Sequence, residues 1–320
     1  MAEPSNHPLV TVICSTYNSK ATLPYTLGSV LGQDLTDLEV QIIGDACTDG
    51  TEQVVARLAD PRLRWHNLPR NTGSQSEPNN EGLRRANGRY VAFIGHDDLW
   101  FPWHLSRLVT HLERTGADLA HDLAATVRAD GIEGVYGPPR PEAGYEHVYF
   151  PTSSWLHRRE LPNEIGFWKS PDNLAWAIDY DFTRRAAEAG KRIEFLASLG
   201  VLKFPSLGWS FYSRTGEMPQ AEWLSSMSKD PVALSHRILE RLATLHAQRC
   251  QMNDKLPFSL FWRETQFASK ALMKACLRGL TGWYGTNRWP IRALLRYRMK
   301  QLRSRHRVMR GLAPLKRTEV

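Results

Sequence analysis

The chain has 320 residues, of which 42% are hydrophobic and 23% are charged, as expected of a folded globular protein. No apolar segment approaches the roughly 20 uncharged residues of a membrane-spanning helix, and the short apolar run after the polar residues 1–8 is unlike a signal peptide. The four cysteines lie far apart, without the close pairs of a zinc site or a disulfide framework. The sequence therefore predicts a cytoplasmic protein.

The net charge of +8 is distributed unevenly along the chain. Residues 278–320 contain twelve Lys or Arg and one acidic residue, Glu319, so the remainder carries a small negative charge. A nucleic-acid-binding domain carries its basic stripe on the domain itself, and we predict no nucleic-acid partner. A basic tail on a mildly acidic body is typical of an electrostatic tether.

Strands and helices alternate through the first 114 residues. The patterns predict strands at Leu9–Cys14, Leu38–Ile43, Leu63–Asn67 and Tyr90–Ile94, helices at Ala21–Gln33, Thr51–Leu58, Gly82–Ala86 and Pro102–Arg114, and a polar loop at Asn71–Asn80. This alternation predicts an α/β fold with a Rossmann-like, mainly parallel sheet flanked by helices. In such sheets ligands bind beyond the carboxyl ends of the strands.

The second half of the chain changes character near residue 217. Residues 117–214 combine short strands with loops rich in Pro, Gly and Trp, and helices are predicted beyond them at Ala233–Leu245, Phe258–Leu280 and Ile291–Leu312. We therefore predict a disordered N-terminus (1–8), an α/β domain (9–217) and a helical C-terminal extension with a basic amphipathic tail (218–320).

Acidic residues follow two of the predicted strands. Asp45 and Asp49 close one strand, and Asp97 and Asp98 close another. Adjacent carboxylates repel each other unless a cation balances them, and Mg²⁺ or Mn²⁺ is commonly held by one or two carboxylates together with diphosphate oxygens. Acids also cap helices, so the spacing leaves both interpretations open.

A third acidic cluster, Asp179-Tyr180-Asp181, precedes a predicted helix at Phe182–Ala189. An aspartate there can be an N-cap. It can equally be a general base, because a helix N-terminus favours the ionised carboxylate from which a base must start.

These motifs, in this order, resemble the family 2 glycosyltransferases of the GT-A fold. VICSTYN (12–18) resembles the family's VxIPTYN, and IIGDACTDGT (42–51) resembles its VVDDGSTDGT. Further similar segments are NTG (71–73), NEG (80–82), ANGRYVAF (86–93), HDDLW (96–100) and DYDF (179–182). The resemblance covers residues 9–215.

The resemblance implies an inverting transferase that moves a sugar from a nucleoside-diphosphate sugar to an acceptor hydroxyl of a glycan or lipid-linked glycan. UDP is the expected nucleotide, and Mn²⁺ or Mg²⁺ is the expected cofactor. The implied sites are Thr16, Tyr17, Asp45, Asn80 and Asp97 for the nucleotide sugar, Asp97 and Asp98 for the metal, and Asp179 as the catalytic base.

Departures from the family pattern keep two alternatives open. Gly44 and Gly95 stand where the family usually has acids, so a catalytically inactive nucleotide- or sugar-binding protein is one alternative. A nucleotidyltransferase is the other, although the loop after the first strand, residues 15–20, lacks the glycines of a phosphate-binding loop.

Two further features have competing interpretations. Trp155, Trp168 and Trp176 either stack on a sugar or belong to the core, where tryptophans are on average well buried. The basic amphipathic helix at 291–312 either packs on the protein or lies on an anionic membrane. The second interpretation predicts a peripheral protein at the inner face of the membrane.

Overall fold

The computed structural model describes residues 7–128, 131–137, 144–145, 148–174, 177–204 and 218–254. The chain divides into two compact units, Met1–Ile238 and Leu239–Val320. Residues 1–6 of the predicted disordered N-terminus, the predicted boundary at 217 and the helices predicted at Phe258–Leu280 and Ile291–Leu312 lie outside the described residues, so these expectations stay predictions.

The strands in the described part of the first unit form one mixed sheet. They are β1 (Val10–Thr16), β2 (Leu38–Gly44), β3 (Leu63–Asn67), β4 (Tyr90–Gly95), β5 (Leu99–Trp100), β6 (Leu119–Arg128), β7 (Gly131–Tyr136), β8 (Trp155–Arg158) and β9 (Ile193–Lys203). Their order is β3-β2-β1-β4-β8-β6-β9-β5, with β7 paired to β6. Strands β1 to β4 are parallel to one another, β9 is parallel to β6, and the remaining pairs are antiparallel.

Helices connect the parallel strands β1 to β4, occur between the later strands, and come after the last strand in the chain. They are α1 (Leu23–Leu31), α2 (Thr51–Leu58), α3 (Ser76–Arg85), α4 (His104–Thr115), α5 (Leu161–Ile165), α6 (Ile178–Glu188), α7 (Pro219–Lys229) and α8 (Pro231–Asp254). Strand β3 and helix α2 have the predicted limits, and α8 contains the helix predicted at Ala233–Leu245. None of the helices in these described ranges is long and apolar enough to cross a bilayer.

Strand β1 is central to the parallel half, and all seven of its residues are buried, as expected for a strand covered on both faces. Its neighbours pair in a register that aligns Thr16 with Gly44 of β2, and Ser15 with Gly95 of β4. Because these strands are parallel, their carboxyl ends lie at one edge of the sheet. The polar residues that follow them are therefore brought to the same edge.

Two local predictions are wrong. The loop predicted at Asn71–Asn80 ends early, because α3 begins at Ser76. The polar side chains of Asn79 and Asn80 are buried in that helix, whereas a polar surface loop would leave them in solvent. Helix α6 begins at Ile178, so Asp179 and Asp181 lie in its first turn and do not precede it.

Candidate active site

A cavity of about 220 Å³ opens at the carboxyl edge of β1 and β4. Its lining combines strand ends, helix α3, the start of α6, the end of β9 and the segment after β7. The lining residues are Ser15, Gln75, Asn79, Phe93, Ile94, Gly95, Tyr136, Tyr149, Pro151, Thr152, Ser153, Asp179 and Lys203. The cavity therefore lies where ligands bind in α/β sheets.

Asp45 organises the loop after β3. Its side chain is buried, and its Oδ1 accepts hydrogen bonds from the backbone N–H of Thr72 at 2.8 Å and from Thr72 Oγ1 at 2.9 Å. Its Oδ2 accepts from the N–H of Gly73 at 3.1 Å, where a φ of 73° favours glycine. Asp45 thus fixes the NTG turn beside the end of β2.

Thr16 lies next to Asp45, since the N–H of Asp45 donates to the carbonyl of Thr16 at 2.8 Å. The Oγ1 of Thr16 is buried and has no hydrogen-bond partner within the described ranges. Tyr17, half-buried, follows at once. Three of the predicted nucleotide-binding residues are therefore adjacent at the ends of β1 and β2.

Asp98 is fully buried and bound by protein donors. Its Oδ2 accepts from Ser153 Oγ and from Lys203 Nζ, the latter at 2.8 Å, and its Oδ1 accepts from the N–H of Phe204 at 3.1 Å. Burial raises the pKa of Asp98, although Lys203 and Ser153 favour its ionised form. Burial alone would lower the pKa of Lys203, but the neighbouring carboxylates of Asp98, Asp97 and Asp179 raise it. Lys203 is therefore the counterion of Asp98.

Asp97, 5% exposed, is held by its backbone, where its carbonyl accepts from Gln220 Nε2 at 3.1 Å. The donor chemistry fits a divalent cation bound by this one carboxylate and completed by ligand oxygens. Both oxygens of Asp98 accept hydrogen bonds, from an ammonium, a hydroxyl and an amide, and its part as a second metal ligand stays a prediction. No group of three or more metal-ligating side chains is present among the residues that the structure describes.

Gly44 and Gly95 end strands β2 and β4, at positions where the family pattern has acids. A Cβ at Gly95 would lie 2.8 Å from Asp98 Oδ2, and one at Gly44 would lie 2.5 Å from Asn67 Oδ1. Real Cβ atoms do not approach other atoms this closely. The buried Asp98 and the Asn67 side chain therefore occupy the space that a side chain at either position would need.

Asp179 lies in the first turn of α6 and lines the cavity. Its Oδ1 accepts from the N–H of Tyr180 at 2.9 Å, and its Oδ2 accepts from the hydroxyl of Tyr149 at 3.0 Å. Burial raises the pKa of this carboxyl, while those two hydrogen bonds and the charge of Lys203 oppose the rise. A buried carboxylate of raised pKa beside a cavity is suited to accept a proton.

Asn80 binds protein backbone in this structure. Its Nδ2 donates to the carbonyl of Trp168 at 3.0 Å, and its Oδ1 accepts from the N–H of Trp168 at 2.9 Å. The neighbouring Asn79 lines the cavity, and its buried Nδ2 has no partner in the described part of the chain. Asn79 is thus better placed than Asn80 to bind a ligand.

Of the three tryptophans considered for stacking on a sugar, two lie in the core and one lies outside the described residues. Trp155 is fully buried and Trp168 is 4% exposed, and both pack in an aromatic cluster with Phe93 and Phe182. These two side chains belong to the core, while Trp176 lies outside the described residues.

Sequence reasoning missed Lys203, Ser153 and Tyr149. Lys203 is the last residue of β9 and lies 105 residues from Asp98, and Tyr149 lies 30 residues from Asp179. No local pattern marks such residues, because their partners are supplied by distant segments.

Comparison with known proteins places the chain among glycosyltransferases. Residues 11–162 match the family model described as glycosyl transferase family 2. A putative colanic acid biosynthesis glycosyl transferase, WcaA of Escherichia coli strain K12, is 31% identical over 199 residues, which cover 58% of this chain and 69% of that protein. Several other curated relatives are matched over only about a third of their own length.

Two solved structures share the fold. TarS residues 1–349 of S. aureus in complex with UDP-GlcNAc aligns with a TM-score of 0.53 at 22% identity, covering 74% of this chain and 72% of that one. A mannosyltransferase of Pyrobaculum calidifontis in complex with GDP-Man and Mn²⁺ gives 0.52 at 22% identity, covering 93% and 88%. These similarities confirm the predicted GT-A fold class.

Proposed function

The chain belongs to glycosyl transferase family 2, and we propose that it is an inverting transferase. In this proposal it moves a sugar from a nucleoside-diphosphate sugar to a hydroxyl of a glycan or lipid-linked glycan in polysaccharide biosynthesis. The observation that carries the proposal is the position of Asp179. This buried carboxylate lines the cavity at the ends of β1 and β4, where Thr16, Tyr17 and Asp45 lie nearby.

The nucleotide would bind at the ends of β1 and β2. The unpartnered Oγ1 of Thr16 can donate to a base or ribose oxygen, and the half-buried Tyr17, next in the chain, would border the base. Asp45 would act by holding the NTG turn and by accepting from the base. UDP is the nucleotide we favour, because the TarS structure holds UDP-GlcNAc. The GDP-Man of the mannosyltransferase makes GDP the competing choice.

The reaction would be one displacement. The oxygen of the acceptor hydroxyl forms a bond to the anomeric carbon, its proton passes to a carboxylate oxygen of Asp179, and the bond from that carbon to the diphosphate breaks with its electron pair leaving on the diphosphate. A single displacement inverts the anomeric centre. The raised pKa of Asp179 makes it a stronger base than a solvated aspartate, and the hydrogen bonds from Tyr149 and Tyr180 favour its ionised state.

We propose that Mn²⁺ or Mg²⁺ binds at Asp97. When bound, such an ion balances the charge on the leaving diphosphate. Asp98, predicted as a second ligand, would instead support the site by fixing Lys203 in the cavity wall. Asp97, Asp98 and Asp179 provide three carboxylates against the one ammonium of Lys203. This excess of negative charge would favour binding of a cation together with the anionic donor.

The two alternatives differ from this proposal in turnover and product. An inactive relative would bind nucleotide without hydrolysing a sugar nucleotide, and a nucleotidyltransferase would release pyrophosphate. The test is titration calorimetry with UDP and with GDP, each with Mn²⁺ and with EDTA. It is followed by mass detection of products from a panel of UDP- and GDP-sugars. We expect metal-dependent binding of one nucleotide and release of that nucleoside diphosphate. Binding without turnover would support the scaffold and contradict the enzyme.

A further inference from the structure

Two tyrosine side chains form one wall of the cavity beside Asp179. Tyr136 ends strand β7, and Tyr149 lies shortly before β8. Their rings meet edge to face, with centroids 5.7 Å apart and planes at 83°. The two side chains, which we call the tyrosine wall, are 39% and 41% exposed, in contrast to the buried tryptophans of the core.

The two exposed tyrosine rings line the same cavity as Asp179, the proposed proton acceptor. Tyr149 donates its hydroxyl to Asp179 Oδ2 at 3.0 Å, so its polar end is at the base and its ring extends to the cavity wall. An apolar lipid chain would not use the polar groups that surround this surface. A sugar ring would use these polar groups as well as the rings. One face of a pyranose presents C–H groups to an aromatic ring, while its rim presents hydroxyls.

We propose that the tyrosine wall is the acceptor subsite and that it stacks against a pyranose ring whose attacking hydroxyl reaches Asp179. This inference rests on the proposed function, since it takes Asp179 as the base. It assigns recognition of the acceptor's sugar ring to Tyr136 and Tyr149.

Tyr149 is also a positioning residue for Asp179. Its hydroxyl hydrogen bond favours the ionised carboxylate and fixes which oxygen faces the wall. Burial raises the pKa of this carboxyl, while the backbone N–H of Tyr180 and the ammonium of Lys203 also favour its ionised form. Because Tyr149→Phe removes one hydrogen bond and keeps the ring, the two roles of Tyr149 can be separated.

The first experiment measures sugar binding directly. The probes are methyl pyranosides of glucose, galactose, mannose and N-acetylglucosamine, added to the full-length protein with UDP and Mn²⁺ and observed by saturation-transfer NMR. We expect at least one probe to bind the wild-type protein and its affinity to fall several-fold in Tyr136→Ala and in Tyr149→Ala. Phe167→Ala is the matched control, because Phe167 is 38% exposed and does not line the cavity.

Each outcome bears on the proposal. Binding that is unchanged in both alanine variants would overturn it, and so would nucleotide binding without binding of any pyranoside. Failure of the wild-type protein to bind either UDP or GDP would count against the proposed function instead. If Tyr149→Ala does not fold, Tyr136→Ala and Tyr136→Leu decide, because Leu keeps apolar bulk without an aromatic face.

The second experiment tests positioning through pH. Hydrolysis of the donor that the wild-type protein accepts is followed against pH for the wild type and Tyr149→Phe. Loss of the hydrogen bond to the ionised carboxylate should move the acidic limb of the profile to higher pH. A reduced rate with an unmoved limb would assign Tyr149 a structural role only.

Discussion

Asp97 and Asp98 are adjacent in the chain, but their side chains have different surroundings. Asp98 is fully buried and binds Lys203, Ser153 and the N–H of Phe204. Gln220 donates to the backbone carbonyl of Asp97, and we propose the Asp97 carboxylate as the ligand of the cation. We therefore propose different roles for these two adjacent residues, with Asp97 in the ligand site and Asp98 in its support.

This difference predicts unequal effects of two equivalent substitutions. Asp97→Asn should abolish Mn²⁺-dependent nucleotide binding. Asp98→Asn should lower that free energy by roughly 3–5 kcal/mol, because it leaves the Lys203 ammonium without its buried partner. Calorimetry with UDP or GDP and urea unfolding measure the two quantities.

The double variant Asp98→Asn with Lys203→Met is the matched control, since it removes both charges and should recover much of the stability. A stable Asp98→Asn protein that has lost metal-dependent binding as completely as Asp97→Asn would show that Asp98 is a metal ligand.

Asp179→Asn should retain nucleotide binding and lose sugar-nucleotide turnover by about 10²–10⁴-fold, because an amide cannot accept the proton. In the wild-type protein the raised pKa of Asp179 predicts that turnover falls as pH decreases through that pKa, where the base becomes protonated. Steady-state rates from pH 4 to pH 8 measure both effects. Turnover at the wild-type rate in Asp179→Asn would place the base elsewhere, and Asp181→Asn is the variant to compare.

Sequence patterns together with the family resemblance selected Asp45, Asp97 and Asp179, whose roles stay predictions. Each of them follows a strand or lies in the first turn of a helix, where the family motif places acids. Lys203 could not be predicted, because a lysine at the end of a strand is ordinary until the fold brings it to Asp98. The ion pair of Asp98 with Lys203 could therefore not be predicted from the sequence either.

At the scale of elements, prediction succeeded where the hydrophobic pattern is dense. Strands β1, β2 and β4 are largely buried runs that pair in a parallel sheet and are separated by helices, whereas the correctly predicted β3 is short and only partly buried. Strands β5 and β8 have only two and four residues, too few to show a two-residue period. Their antiparallel partners lie far away in the chain, and local sequence carries no information on such pairing.

The aromatic core around β6 and β8 contains two buried histidines. The ring of His121 stacks on Phe150 with centroids 4.0 Å apart, and His157 packs against Trp155 and Phe182. Burial lowers the pKa of His121 to about 3 and that of His157 to about 4. Both rings are therefore neutral in the folded protein at neutral pH.

These histidines predict that the fold loses stability in mild acid. An unfolded histidine gains a proton below pH 6.5, whereas the folded protein does not until its lower pKa is reached. The unfolded state therefore gains stability as pH falls, by about 2 kcal/mol per histidine between pH 7 and pH 5. Urea unfolding at the two pH values should show a smaller loss for His121→Phe than for the wild type.

His236→Gln is the control for this prediction, because His236 is exposed on α8. It should leave the pH dependence of the free energy of unfolding unchanged. If His121→Phe and His236→Gln behave alike, buried histidines are not the source of the acid sensitivity.

Positive charge is concentrated at one end of the chain. Residues 278–320 carry twelve Lys or Arg, and they lie outside the described residues. Within residues 291–309 the apolar positions Ile291, Leu295, Met299 and Leu302 follow helical spacing. We propose that this tail binds the anionic inner face of a membrane and holds the active site near a lipid-linked acceptor.

The prediction is loss of binding to anionic vesicles when the charges of the tail are removed. In the full-length protein, Arg292, Arg296, Arg303, Arg307 and Arg310 are replaced by Gln, and co-sedimentation with vesicles containing phosphatidylserine is measured at low and high salt. Because each basic residue near such a surface contributes about 1 kcal/mol, the partition coefficient should fall by orders of magnitude. High salt should weaken wild-type binding for the same reason.

The matched control removes five arginines that are exposed on the described part of the chain. They are Arg57, Arg64, Arg128, Arg237 and Arg241. This variant has the same net charge as the tail variant, so a difference between the two reports where the charge lies and not how much there is. Equal partition of the two variants, or binding that is insensitive to salt, would leave the helix as a packing element. A selective loss in the tail variant would show that an electrostatic contact of the tail places the enzyme at the membrane.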